Sequence, residues 1–185
     1  MSGKERRMGK IILETDRLFL REMDERDLKD LSEILQDPEV MYAYEHEFTD
    51  QDVRDWLNRQ KNRYERYGYG LWAAVLKETG EMVGQAGLTI QDCEGEKVLE
   101  IGYLLKKKYW HRGYAREAAL GCREYAFGKL RASRVCSVIK IDNAASIRVA
   151  GAIGMKKEKE FLAQYYSGKK KHYLFSCKAG KLTEL

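Results

Sequence analysis

Between residues 98 and 141 the hydrophobic pattern changes period twice, and that change limits the folds open to the chain. Val98–Leu105 alternates in period two, as a strand does. From near Gly113, a stretch of about 15 residues places Ala118, Ala119, Cys122, Tyr125 and Ala126 on one helical face. Val135–Ile141 then returns to strand character. A strand–helix–strand series of this kind lays its two strands parallel, with the helix packed on the sheet. The small residues on the helix suit a close approach.

The junction inside this unit, Tyr109-Trp110-His111-Arg112-Gly113-Tyr114-Ala115-Arg116-Glu117, has the character of an anion cradle. Gly113 permits a tight turn, and the first N–H groups of the following helix have no intrahelical acceptor. Arg112 and Arg116 add positive charge, and Ala115 leaves the backbone accessible. A pyrophosphate fits such a place. The junction lacks the G-x-x-x-x-G-K-S/T spacing of a nucleotide P-loop and the three glycines of a dinucleotide fingerprint.

The remaining pattern fills in one domain. Ile11–Leu13 and Arg17–Met23 read as a strand with a lead-in, Asp24–Gln36 as a helix stopped at Asp37-Pro38, and Asp50–Tyr67 as a second helix. The inner face of the second helix carries Val53, Trp56, Leu57, Gln60 and Tyr64, and its other face is strongly charged. Leu71–Leu76, Met82–Ile90 and Val98–Leu105 suggest a meander, with a turn at Glu78–Glu81 and a polar loop at Gln91–Glu96. After the crossover come a short helix, Ala144–Ile153, and a terminal hairpin of Met155–Tyr166 and Lys170–Cys177. The expectation is an α+β (α/β three-layer) domain, a mixed central sheet flanked by helices on both faces. Residues 1–10 are expected to be a flexible N-terminal segment, 11–178 the domain and 179–185 a tail.

Composition narrows the function classes. The 34 Lys and Arg are interspersed with 29 Asp and Glu, for a net charge of +5, which argues against a dedicated nucleic-acid surface and suits an anionic ligand. Lys106–Lys108 and Lys169–Lys171 read first as solvated runs, although the former adjoins the cradle. Cys93, Cys122, Cys136 and Cys177 are widely spaced, without metal-ligand patterns, and read as reduced thiols in a cytoplasmic protein. Neither a signal peptide nor a membrane span is indicated.

The segment Trp110-His111-Arg112-Gly113-Tyr114-Ala115 resembles the acetyl-CoA-binding motif of the GNAT superfamily of N-acetyltransferases, Gln/Arg-x-x-Gly-x-Gly/Ala, with Trp110 departing from the usual first residue. Three further segments carry the resemblance from about residue 11 to 177. Glu14-Thr15-Asp16-Arg17-Leu18-Phe19-Leu20-Arg21 and Asp37-Pro38-Glu39-Val40-Met41 are similar to the opening of the branch containing the ribosomal-protein-alanine N-acetyltransferases. Ile141–Ala150 followed by Gly154-Met155 resembles that branch's N-x-x-S segment and the end of its short helix.

The resemblance implies a GNAT-like acyl-CoA N-acyltransferase fold and acetyl transfer from acetyl-CoA to a primary amine, without a metal. It implies that the strand ending at Leu105 splays from Val135–Ile141, so that Tyr103, Leu104 and Leu105 meet the pantetheine arm, while Arg112, Gly113, Tyr114, Ala115 and Arg116 surround the phosphates. Asn143 would touch the cofactor and Ser146 would donate to the departing thiolate, although Asp142 or Asn143 could equally serve as a helix cap. Glu100 is the first candidate base, since it shares a strand face with Val98, Gly102 and Leu104, where burial would raise its pKa; an edge-facing or salt-bridged Glu is the plain alternative. Tyr42, Tyr44, His46, Tyr67, Tyr69, Tyr165 and Tyr166 are candidate pocket or acid groups, with Glu45, His46 and Glu47 favouring a cationic amine. His111 is expected to face solvent or cofactor. The acceptor is left open among a protein N-terminus and small-molecule amines, and a homodimer remains an option. A silent CoA sensor of the same fold and a ribosome-associated RNA-binding module are the competing readings.

Overall fold

The computed structural model describes residues 9–165 and 168–180, so most of the expected N-terminal segment and tail, and Tyr166 and Ser167 of the terminal turn, lie outside the described residues. Eight strands form one sheet: β1 (Ile11–Glu14), β2 (Leu18–Arg21), β3 (Leu71–Leu76), β4 (Met82–Cys93), β5 (Glu96–Leu105), β6 (Arg134–Lys140), β7 (Lys156–Tyr165) and β8 (Gly168–Lys178). Their order is β1-β2-β3-β4-β5-β6-β8-β7. Only β5 and β6 run parallel; every other neighbouring pair is antiparallel. The meander and the terminal hairpin are both present, and β8 rather than β7 lies beside β6.

Alternation along the strands sends adjacent side chains to opposite faces of the sheet, where two large cores form, with a smaller cluster of Cys93, Val98, Cys136, Phe161, Ala163 and Leu174 beside them. Phe19, Ala73 and Val75 meet helix α1 (Leu28–Leu35) and helix α2 (Asp50–Tyr67) through Leu31, Ile34, Val53 and Leu57. Leu18, Leu20, Trp72 and Ala74 meet α3 (Tyr114–Gly128) and α4 (Ala144–Ala152) on the opposite face, through Ala118, Ala119, Cys122 and Ala150. The three-layer arrangement follows.

Three local details depart from the expectation drawn from pattern. The first strand is two, β1 and β2, because Thr15 turns the chain: its backbone N–H donates to the Leu18 carbonyl at 2.8 Å, and the Leu18 N–H donates back to the Thr15 hydroxyl oxygen at 3.2 Å. The first helix begins with a separate 3-10 turn, Glu25–Asp27, capped by Asp24. The polar loop at 91–96 is instead a tight hairpin, with both Glu94 (φ 56°) and Gly95 (φ 88°) in the left-handed region. That conformation is what a two-residue hairpin turn demands.

Helix α2 starts with a reciprocal cap. The Asp52 N–H donates to Thr49 Oγ1 at 3.2 Å, and the Thr49 N–H donates to the Asp52 carboxylate at 2.8 Å. At the base of β2, Arg21 grips Asp27 with two bonds of 2.8 and 2.6 Å, and the Asp27 side chain is only 3% exposed. Removing one member would strand a shielded charge. Asp27→Ala is expected to lower unfolding free energy by about 3–5 kcal/mol, read from urea denaturation; a loss below about 1 kcal/mol would show that the pair is solvated like a surface bridge.

Candidate active site

The parallel strands β5 and β6 are in register at a single position, Glu100 opposite Cys136. Beyond it, two side chains stand where backbone groups would otherwise meet. Ser137 Oγ donates to the Ile101 carbonyl at 3.0 Å, and the Val138 N–H donates to Glu100 Oε1 at 3.1 Å. From there the strands part. β4 pairs with β5 along its length and β8 with β6, so neither strand can swing inward to close the gap. The gap opens a cleft of about 1290 Å³ whose lining includes Glu100, Tyr103, Leu104, Leu105, Ser137 and Asn143. Backbone groups on the diverging strands need partners, and an amide-bearing arm can supply them.

The cradle stands at the open end. Gly113 has φ 81° and precedes α3 with no side-chain cap on the helix start, and Gly113, Tyr114, Ala115 and Arg116 all line the cleft. The first intrahelical bond there is Glu117 N–H to the Gly113 carbonyl, so the preceding amides have no intrahelical acceptor, an arrangement that can hold an anion. Arg112 does not line the cleft; its guanidinium lies over the Tyr109 ring, 5.7 Å from the centroid. His111, at φ 59°, is exposed at the rim of the cleft.

The opening residues of the chain hold this turn in place. Thr15 Oγ1 donates to Glu117 Oε1 at 2.6 Å, as does the Arg17 N–H at 2.7 Å, and Arg17 Nε reaches Glu117 Oε2 at 2.7 Å. Arg17 also donates to the Arg112 carbonyl at 3.1 Å and covers the Tyr114 ring at 4.3 Å. α3 can approach β1 closely because residue 121 is glycine: a Cβ there would lie 2.8 Å from Thr15 Cγ2. Trp110, the departure from the family motif, has a structural use, since its indole N–H donates to the Leu105 carbonyl at 3.0 Å and ties the cradle to the end of β5.

Glu100 sits where the splay begins, on the sheet face covered by α2. It is paired across the ladder with Thr89, whose hydroxyl donates to Glu100 Oε2 at 3.2 Å. Burial pushes its carboxyl above the usual carboxylate range, outweighing the stabilising bonds from Val138 and Thr89. On the opposite face, the Tyr103 hydroxyl donates to the Ser146 carbonyl at 3.3 Å, bridging β5 to α4. Burial raises the Tyr103 pKa to about 12, so it stays protonated at neutral pH. Asn143 caps α4 by accepting the Ser146 N–H at 3.0 Å, and both residues line the cleft. Capping and a place at the site therefore coexist.

The other candidates separate. Tyr42 and Tyr44 line the cleft, Tyr67 and Tyr69 stack on each other away from it, and Glu45 bonds to both Lys140 and Lys170, at 2.8 and 2.9 Å. The Glu45 carboxylate is thus taken up by two lysines, and His46 lies 3.6 Å from the Asp52 carboxylate. Lys106, Lys107 and Lys108 are also committed, to Asp30 and Glu33, to Glu39 and to Glu81 respectively. None of the three lines the cleft. Sequence patterning missed Arg59, Arg63 and Arg148, which do line it. The first two lie one turn apart on α2 and adjoin its buried Gln60, the only signal that could have pointed to them.

If the clamp on α3 holds the cradle in shape, Glu117→Ala should raise the dissociation constant for acetyl-CoA about tenfold, or about 1.4 kcal/mol, by calorimetry. An unchanged constant would show that the turn stands without it.

The sequence matches the family model for the acetyltransferase (GNAT) domain over residues 17–156. It is 40% identical over 152 residues to the uncharacterized protein YkkB of Bacillus subtilis (strain 168), covering 82% of this chain and 88% of that protein. It is 31% identical over 148 residues to the uncharacterized N-acetyltransferase p20 of Bacillus licheniformis, covering 79% and 83% respectively. The fold superposes on an acetyltransferase (GNAT family) from Bacillus anthracis with a TM-score of 0.75 at 26% identity, over 90% of this chain and 97% of that one. Single-bridge splay, uncapped helix start and family match agree, and the chain belongs to the GNAT acetyltransferases.

Proposed function

We propose that the chain acetylates a primary amine by direct attack of that amine on the thioester, with Glu100 as the base. Acetyl-CoA is the cosubstrate of this family, supplying an acetyl thioester whose carbonyl carbon the amine attacks with release of the thiol. The uncapped start of α3 and the unpaired stretch of β5 fit its pyrophosphate and its amide-rich arm. Arg116 and Arg148 line the cleft on the α3 and α4 side, and neither pairs with a carboxylate among the described residues, which leaves both for phosphates.

The observation that carries the proposal is the position of Glu100. It stands at the head of the gap, in the cleft and on the α2 face, while Tyr103 and Ser146 lie on the cradle side. An amine entering between α2 and the sheet meets this carboxylate, which takes its proton directly or through a water. Ser146 lines the cleft with its side chain beside the Tyr103 hydroxyl, which supports its role as donor to the departing sulfur. Placement supplies much of the rate, because the two reactants meet in one cleft. The free thiols of Cys93, Cys122, Cys136 and Cys177 support a reducing compartment, the cytoplasm.

The pH dependence has a definite sign. A base must be deprotonated, and the Glu100 pKa is raised by burial, so kcat should fall as pH drops through a value above that of a free glutamate. Glu100→Gln should lower kcat about 10²–10⁴-fold, keep acetyl-CoA affinity and erase that acidic limb. A limb that survives in the variant would remove Glu100 as base.

A further inference from the structure

Nine lysines and arginines among the described residues are at least partly shielded from solvent: Arg21, Lys61, Arg63, Lys106, Arg123, Arg134, Lys140, Lys159 and Lys170. Eight of them pair with a carboxylate. The exception is Arg63. It lies on α2, lines the cleft, and among the described residues its only hydrogen bond runs from Nη1 to Gln60 Oε1 at 3.1 Å. Gln60 is itself fully buried and anchored, since the Leu71 N–H donates to the same oxygen at 3.0 Å. The guanidinium is therefore positioned by the fold and makes no ion pair with a carboxylate among the described residues. A partly desolvated cation in that condition is a site for an anion.

The surroundings identify whose anion it is. Arg63 and Glu100 lie on the same face of the sheet, the one away from the cradle helix, and attract each other electrostatically. Arg59, one turn earlier, rests on the Trp56 ring at 5.4 Å and widens the positive patch toward the mouth of the cleft. The other carboxylates lining the cleft, Asp92 and Glu94, are paired with Lys97 and Lys159. A polycation entering here would meet two arginines and one available carboxylate. An amine that also carries an anion would find a partner for each end.

We infer that Arg63 is the specificity-determining residue of the acceptor subsite, and that the acceptor is an amine bearing a carboxylate, bound through the planar guanidinium while its amine faces Glu100. The inference rests on the acetyl-transfer reading for its chemistry, but the site can be tested without turnover. A guanidinium binds a planar carboxylate through two parallel hydrogen bonds, which a primary amide or an alcohol cannot reproduce.

The binding test titrates N-acetylglycine, N-acetylleucine and N-acetylglutamate, and the corresponding C-terminal amides, into the protein saturated with CoA. The carboxylates are expected to bind at least tenfold more tightly than their amides, and Arg63→Met should abolish the difference while leaving CoA affinity unchanged. Arg63→Lys, which keeps the charge but not the fork, should retain part of it. Equal binding of acids and amides to the wild-type protein overturns the inference, as does a preference that survives in a folded Arg63→Met. The kinetic test measures thiol release with free amino acids, their amides, phosphoethanolamine and spermidine. Amino acids should have the highest kcat/KM, and Arg63→Met should raise their KM more than it lowers kcat. Preference for phosphoethanolamine or spermidine overturns the carboxylate assignment. Selective carboxylate binding with no acceptor turning over would uphold the subsite and defeat the acetyl-transfer reading instead.

Discussion

Two parallel strands that meet at one position and then diverge are the constraint on which the rest of this molecule depends. Backbone pairing between β5 and β6 ends at Glu100 and Cys136, and the side chains of Glu100 and Ser137 take the next partners for themselves. A sheet interior does not leave such groups unmatched without consequence. Because β4 and β8 hold the outer edges of the two strands, the gap persists as a cleft with unpaired backbone along its walls. Glu100 serves both purposes: it closes the end of the ladder and presents a carboxylate to the cleft.

The two faces of the sheet divide the remaining work. On one, α3 and α4 bring the uncapped helix start, Tyr103, Asn143 and Ser146 together, and the chain's opening residues lock the turn through Thr15 and Arg17 on Glu117. On the other, α2 leans over the gap with Trp56, Arg59, Gln60 and Arg63. An amine and a thioester arriving from opposite faces would meet at the gap itself.

Much of this was legible from residue order alone, and for physical reasons. The change from period two to helical spacing around Gly113 identified the β5–α3–β6 crossover, and Gly113 marked the helix start that carries no side-chain cap. What stayed hidden were contacts between distant segments. Lys106 reads as one of three solvated lysines, yet it is buried against Asp30 and Glu33 of α1. Arg112 reads as a phosphate ligand, yet it turns onto Tyr109. Glu45 reads as an acid for the pocket, yet Lys140 and Lys170 bind it. Arg63 was lost in the charged face of α2 because helical periodicity says which residues share a face and not what stands opposite them. The hairpin at Glu94-Gly95 was missed because a left-handed glutamate carries a weaker turn signal than asparagine or aspartate.

The central claim is that the splay and the start of α3 together hold acetyl-CoA by their backbone. Amide hydrogen exchange, resolved by residue with and without CoA, measures this directly. The account predicts slowed exchange on CoA binding at the β5 amides of Tyr103 and Leu105, which point away from β4 into the gap, and at Tyr114, Ala115 and Arg116. Exchange at those amides that does not change while CoA is bound, or protection confined to α2, would contradict it.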